Sequence, residues 1–428
     1  MASGVGLREK KGATVAVSAV SPEALVQARM SLGTAPFETL FEMANRRAAC
    51  GLDELRLYKG LRLSAVDGAH LNLPSRAELE KEFGRPASTG DRHSLPQALL
   101  VTLDWIQLGW FHDWRLARYD ASELALARDL CTKLGYGDLL LADRLFFDPY
   151  WFTQLERCGV TLLFRATLSR WLTLTKSSRE QVERQRRDHH GQVDLWADLH
   201  VRDPVTGKRS GTFRVRYLEI PQTGRDTLYF FTNLDATFLP AEDAARLYFQ
   251  RWGIETDYRL FKGPDHLPVV LSRKPLTVRQ EILLRLLAHN AVRYVQGLAC
   301  LRLRQLERAK TPSGVAPESA MMHWHKRHVA QQRSILPIDL QTGQTAAIIL
   351  GHIEQLAARP PPHAGSTLDT LLAEVAKHQV YAKPNRHYPR KGRKYQKGKR
   401  NKGNRHAQAK RRRQRTTAAS QGIRPGET

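Results

Sequence analysis

The chain has 428 residues and a formal net charge of +25, from 67 Lys and Arg against 42 Asp and Glu. Hydrophobic residues at 42% suffice for a core, which excludes wholesale disorder. No apolar run reaches the roughly 20 residues of a membrane span. Met1 to Ala19 carries Arg8, Lys10 and Lys11 but no long apolar stretch or signal-type cleavage site, so a cytoplasmic protein is expected. Residues 22–48 have helical spacing, with Ser21 able to cap before Pro22. Leu61, Leu63 and Ala65 alternate with Arg62, Ser64 and Val66, predicting a strand that ends at Asp67-Gly68. Residues 98–106 and 110–119 read as two further strands around Gly109. Residues 122–134 form an amphipathic helix capped by Ser122. Leu139 to Ala142 is a short buried strand running into Asp143, residues 149–158 a helix, and Val160 to Phe164 another strand. This order argues a mixed α/β sheet.

The texture then changes. Residues 168–239 mix a charge run, Arg179 to His190, with β-like stretches at Thr212 to Ile220 and Leu228 to Leu234, as expected of a β-rich insertion. Helical patterning returns at 240–262 and 277–308. Pro312 to Pro317 marks a loop, and 318–380 is helical with a break at Pro360-Pro361-Pro362. From Lys383 to Arg415 there are 16 Lys and Arg and no acid, a composition expected to be disordered. Such a tail is equally a solvating segment or a polyanion contact. Each neutralised duplex phosphate steepens the log–log salt dependence of binding by about 0.9. Deleting 383–428 is therefore expected to flatten that slope in a salt titration on duplex DNA. The four cysteines, Cys50, Cys131, Cys158 and Cys300, make no CxxC pair and are expected to be reduced core residues.

The segment richest in chemistry is Tyr248 to Lys262. On one continuous helix, Tyr248, Arg251, Glu255 and Lys262 share a face, as Tyr-x2-Arg-x3-Glu-x6-Lys. An acid among two cations and a phenol can serve a metal while its neighbours hold phosphate oxygens. An exposed face with an ordinary Arg–Glu pair fits the same spacing. Asp67 and Asp143, at the ends of neighbouring strands, can converge with Glu255 into an oxygen-donor site for one or two Mg²⁺ ions. Read singly, Asp67-Gly68 is also a common turn and Asp143 a helix cap. His323, His325 and His328 suit a basic helix on DNA or a plain surface better than a metal, and His189-His190 a solvated loop. Trp105, Trp110, Trp114, Trp151 and Trp171 read as core. There is no GxSxG elbow, Walker loop or GxGxxG, so no nucleotide cofactor is expected.

The Tyr248/Arg251/Glu255/Lys262 spacing resembles the YREK signature of bacterial DDE transposases of the insertion-sequence-four family. The resemblance runs from about Val26 to Gly297. It includes Ala65-Val66-Asp67-Gly68-Ala69, Phe83-Gly84-Arg85-Pro86-Ala87-Ser88, Leu140-Leu141-Ala142-Asp143-Arg144, Tyr229 to Leu234, Leu271-Ser272-Arg273-Lys274 and Val278-Arg279-Gln280-Glu281. It implies a ribonuclease H-like mixed sheet flanked by helices, with a β-rich insertion, helical N- and C-terminal parts and a disordered basic tail. On that reading residues 1–58 are a short helical N-terminal region, a truncated recognition domain. Residues 59–167 and 240–308 are the two halves of the catalytic domain, 168–239 the insertion, 309–382 a helical C-terminal region and 383–428 the tail. The resemblance makes Asp67, Asp143 and Glu255 ligands of Mg²⁺, with Mn²⁺ able to substitute, and makes Tyr248, Arg251 and Lys262 DNA contacts. It implies strand cleavage and strand transfer on double-stranded DNA, transposon ends and target, by a homodimer. Two departures frame the alternative, a catalytically inactive DNA-binding relic: Leu145 stands where the family has Gly after Asp-Arg, and only about 60 residues precede Asp67.

Overall fold

The computed structural model describes residues 21–55, 58–87, 94–222, 225–262, 270–310, 345–352 and 361–377. The described residues all belong to one unit that closes at Ala382, and the basic tail and the His323–His328 cluster lie outside them. The strands are β1 (Arg62–Asn72), β2 (Gln97–Trp105), β3 (Trp110–Arg118), β4 (Asp138–Ala142), β5 (Thr161–Ala166), β6 (Val193–Arg202), β7 (Arg209–Gln222) and β8 (Arg225–Thr232). They form one sheet in the order β3-β2-β1-β4-β5-β8-β7-β6. β1, β2 and β3 are antiparallel neighbours, and β4 and β5 run parallel to β1. This is the expected ribonuclease H-like core. The insertion strands extend that sheet rather than building another, because β8 pairs antiparallel with β5, Leu163 opposite Thr232.

Helices cover both faces. On one side lie α2 (Ala35–Gly51), α3 (Ala77–Phe83), α7 (Ala241–Phe249), α8 (Trp252–Lys262) and α9 (Pro275–Lys310). They bury Phe41, Phe83, Leu247, Ile254 and Ile282 against Leu63, Ala65 and Leu141 of the sheet. On the other side α4 (Glu123–Leu130), α5 (Pro149–Arg157) and α6 (Lys176–Asp188) bury Leu130, Phe152 and Val182 against Val66, Leu140 and Phe164. Local chemistry sets the helix starts. Ser122 Oγ accepts from Ala125 N at 3.2 Å, and Asp148 Oδ1 from Trp151 N at 2.8 Å. A third cluster joins α2 and α9 to α10 (Pro361–Lys377) through Leu52, Trp110, Cys300 and Val375.

Several expectations need correction. The helix over 22–48 is two, α1 (Pro22–Leu32) and α2, separated by Gly33 at φ +68°. The Arg179–His190 charge run is mostly helix, α6. It buries Ser178 and Val182 and sends Arg186 to Glu219 of β7 at 2.9 and 2.5 Å. Its single apolar contact stripe is too thin to register as a period. Pro361 and Pro362 open α10, as proline does in a first turn, and residues 353–360 before them lie outside the described residues. Cys131 and Cys300 are buried, but Cys50 and Cys158, at helix ends, are exposed. Trp105, Trp110 and Trp151 are core, and Trp114 and Trp171 pack partly buried against it.

One buried acid stands apart. Asp104 of β2 is fully buried beside Asp257 of α8, and among the described residues neither of its carboxyl oxygens has a well-aligned donor; the nearby Thr102 hydroxyl is directed to Tyr258. Burial, then the Asp257 charge, pushes its carboxyl well above the usual 3.8. The folded chain thus keeps a proton that the unfolded chain releases. Its stabilising contribution is full below 3.8 and is lost as pH rises toward the folded value. Asp104→Asn is expected to be more stable than wild type at pH 8, by about 1–3 kcal/mol, with the gap shrinking toward pH 4. Thermal melts across that range check this.

Candidate metal and phosphodiester site

Side-chain alternation along β1 sends Leu63, Ala65, Asp67 and Ala69 to the face covered by α8. The same parity on β4 sends Leu139, Leu141 and then Asp143 to that face. β1 and β4 pair in parallel with Ala65 opposite Leu141, so two residues further on Asp67 comes beside Asp143. Asp67 lies mid-strand, opposite Thr102, and does not end β1 as expected. The Asp67-Gly68 turn signal loses to a ladder with β2 that continues to Asn72 opposite Gln97. Asp143 is not a helix cap either; its Oδ1 accepts from Arg144 N at 2.7 Å, and Asp148 caps α5.

The expected single helix over 240–262 is broken. Gln250 and Arg251 form a turn between α7 and α8, with Gly253, a weak helix former, just beyond. The break frees Arg251 from the stripe predicted for it and aims its guanidinium at the sheet. Nη1 lies 3.3 Å from Asp67 Oδ2, and Nη2 lies 3.2 Å from Glu255 Oε1 and 3.9 Å from Asp143 Oδ2. The three carboxylates are brought together around one cation. The Arg251 side chain is 6% exposed, against 24%, 31% and 40% for Asp67, Asp143 and Glu255, so the acids face solvent over a buried base.

Tyr248, at the end of α7, is buried and donates its hydroxyl to Asp143 Oδ1 at 3.0 Å. Burial pushes that phenol up to about 12, which keeps its proton in place at neutral pH. Lys262 closes α8, and its side chain lies outside the described set. Burial raises the Asp67 carboxyl, while Arg251 and the Gly68 N–H, 3.0 Å from Oδ1, pull it back. Leu145 is exposed on the turn after β4. Lys59 and His190 are the described non-glycine residues with positive φ, so position 145 makes no demand for glycine.

Two site residues escaped the sequence reading. Tyr258, one turn beyond Glu255, is buried, donates to the Asp67 backbone carbonyl at 2.9 Å and accepts from Thr102 Oγ1 at 3.0 Å. It pins α8 onto β1 and β2 at Asp67. Glu123, in the first turn of α4, is half-buried over Gly68. A Cβ at 68 would meet its Oε1 at 2.5 Å. Burial and then Asp67 raise its carboxyl, with a smaller push from Asp143, so a fourth acid lies in the field of those two. Tyr258 falls among hydrophobic positions of α8, and Glu123 reads as an ordinary first-turn acid, so neither announces itself.

The donor set is hard: carboxylate oxygens only, in excess over the guanidinium that touches them. That chemistry fits Mg²⁺ or Mn²⁺ and not a soft ion. In the geometry described, the acids are arrayed about Arg251, and among the described residues no three His, Cys, Asp or Glu side chains are grouped closely enough to hold an ion.

Asp67 on the first strand, Asp143 just after the fourth and Glu255 on a later helix thus come from three separate parts of the chain. The family model described as "Transposase DDE domain" matches residues 61–291, over half of the chain, and the chain belongs to that family. It is 25% identical over 280 residues to the transposase InsG for insertion sequence element IS4 of Escherichia coli strain K12, covering 64% of this chain and 61% of that protein. It is 28% identical over 137 residues to the putative transposase InsZ of the same strain, covering 32% of this chain and 46% of that one. The chain thus spans about three fifths of InsG and under half of InsZ. Among solved structures it is similar to the piggyBac transposase synaptic complex with hairpin DNA, at 10% identity and a TM-score of 0.37, covering 81% of this chain and 66% of that one.

Proposed function

We propose that the chain is the transposase of an insertion sequence, a metal-dependent enzyme that cleaves DNA strands at the element's ends and joins them to a target. The observation carrying this is the convergence of Asp67, Asp143 and Glu255, from β1, the residue after β4 and α8, on the one guanidinium of Arg251. These three would hold Mg²⁺, with Mn²⁺ able to substitute. Bound divalent ions supply activation of an attacking oxygen and stabilisation of a leaving one. In cleavage a water oxygen attacks the phosphorus and the bond to the 3′ oxygen breaks, freeing a 3′-hydroxyl. In transfer that hydroxyl attacks a target phosphorus and gives up its proton, the target's own bond from phosphorus to its 3′ oxygen breaks, and that 3′ end leaves as a hydroxyl. Tyr248 orients Asp143, Tyr258 fixes α8 over Asp67, and Arg251 and Lys262 are the cations proposed for DNA phosphates, with Tyr248 beside them. The partners are duplex DNA and a second copy of the chain on paired ends. None of the described helices is long and apolar enough to cross a membrane.

A supercoiled plasmid carrying the element and its flanks tests the proposal. Cleavage at the element's ends with Mg²⁺ or Mn²⁺, suppressed by EDTA, is expected. Wild-type protein that binds this plasmid yet cuts it under neither metal would overturn the enzymatic reading in favour of the relic.

Gly68 offers a finer check. An alanine there must displace the Glu123 carboxyl, which lies at the free end of a flexible side chain. Gly68→Ala is expected to leave the melting temperature within a few degrees and to slow cleavage by about ten- to a hundred-fold, through misplacement beside Asp67. Paired melts and single-turnover nicking assays measure both.

A further inference from the structure

We propose that Arg251 is the resident counter-ion of the carboxylate site, a positioning residue that a divalent cation and a DNA phosphate displace together. The counter-ion role stands on geometry alone; its coupling to DNA rests on the transposase reading. One guanidinium contacts all three acids, at 3.3, 3.2 and 3.9 Å, and thus occupies the region where their negative potential is greatest. Its Nε is buried with no partner among the described residues, so the guanidinium is held at its two ends, by the carboxylates and Tyr248, and not at its neck. The residue sits in the turn between α7 and α8 with its backbone N–H on the Tyr248 carbonyl at 3.0 Å, so only side-chain torsions change when the guanidinium moves. The ring of Tyr248 lies 5.8 Å from the guanidinium and offers an aromatic surface along which it can move.

Two consequences follow. With Arg251 in place, a divalent ion must compete with a positive charge already bound to its ligands. A phosphate that draws the guanidinium away exposes those ligands, so DNA and metal each raise the other's affinity, by equal factors. The site then loads fully only on substrate, and free protein holds its acids neutralised.

Manganese binding to the full chain tests this, read from the free-Mn²⁺ spin-resonance signal with and without a plain 30-mer duplex. Wild type is expected to bind Mn²⁺ about fivefold or more tightly with duplex present. Arg251→Gln is expected to bind Mn²⁺ about fivefold or more tightly than wild type without DNA, and to lose the duplex effect. A merely structural Arg251 has the opposite sign, because a slackened site binds metal worse. Arg251→Lys keeps the charge but cannot fork among three acids; it is expected to fall between the two and serves if Gln at 251 fails to fold. Mn²⁺ affinity unchanged or weakened in the folded variants would overturn the proposal. The readout is metal occupancy and not cleavage, so an inactive wild type would reject the enzymatic reading while leaving the counter-ion measurement intact.

Discussion

Asp143→Asn is expected to lower Mg²⁺-dependent strand cleavage at the element's ends by at least about 10³-fold, equivalent to about 4 kcal/mol of transition-state stabilisation. The substitution keeps size and shape. An amide oxygen still accepts from Tyr248, so α7 stays docked through the bond now made to Oδ1. What is lost is one unit of negative charge from a hard-donor set, the property a divalent ion needs. Asp67→Asn and Glu255→Gln should behave alike, since each removes one of the carboxylates around Arg251. DNA binding should hold or strengthen slightly, because each change removes a charge that repels phosphate. Gel-shift and nicking assays on the same preparations separate the two effects. A variant that cleaves at wild-type rate would remove its carboxylate from the reaction.

Arg216→Ala is expected to cost about 3 kcal/mol of stability, read from the midpoint of urea unfolding. Arg216 lies on β7 with its side chain 1% exposed. It makes a two-pronged pair with Asp194 of β6, 2.7 Å at both Nε and Nη2. Its Nη1 donates to the carbonyls of Leu234 and Leu239, at 3.3 and 2.6 Å. Those carbonyls belong to the segment that leads into α7 and Tyr248. Truncation leaves them without their donor and leaves Asp194 without its cation. Asp194 is 32% exposed and can hydrate, which keeps the cost at the lower end of what a broken buried pair incurs. Slower cleavage is expected to accompany the loss, through slackening at Tyr248.

How much could be read from sequence varied with how local the signal was. Ser122 before an amphipathic run gave α4, and the apolar block Leu139 to Ala142 gave β4, because caps and buried strands are written in adjacent residues. Asp67, Asp143 and Glu255 could be singled out, and the sheet parity that gathers them follows from alternation once β1 and β4 are paired. The extension of β1 through Gly68 depends on β2, some thirty residues away, and a local turn signal pointed the other way. Arg251 was legible as a cation near Glu255, but its reach to Asp67 and Asp143 required a helix break that periodicity did not show. Tyr258 and Glu123 act through the backbone of Asp67 and Gly68, partners that no spacing rule links to them.

The extension of the sheet by β8, β7 and β6 also fixes the order in which a growing polypeptide becomes competent. Asp67 and Asp143 leave the ribosome early, but α8, which carries Glu255, follows three further strands in chain order, the last of which pairs with β5. A nascent chain halted before residue 240 therefore exposes two lone acids with neither Arg251 nor Glu255 beside them. Assembly of the carboxylate site, Arg251 and Glu255 included, thus waits until most of the described strands have been made.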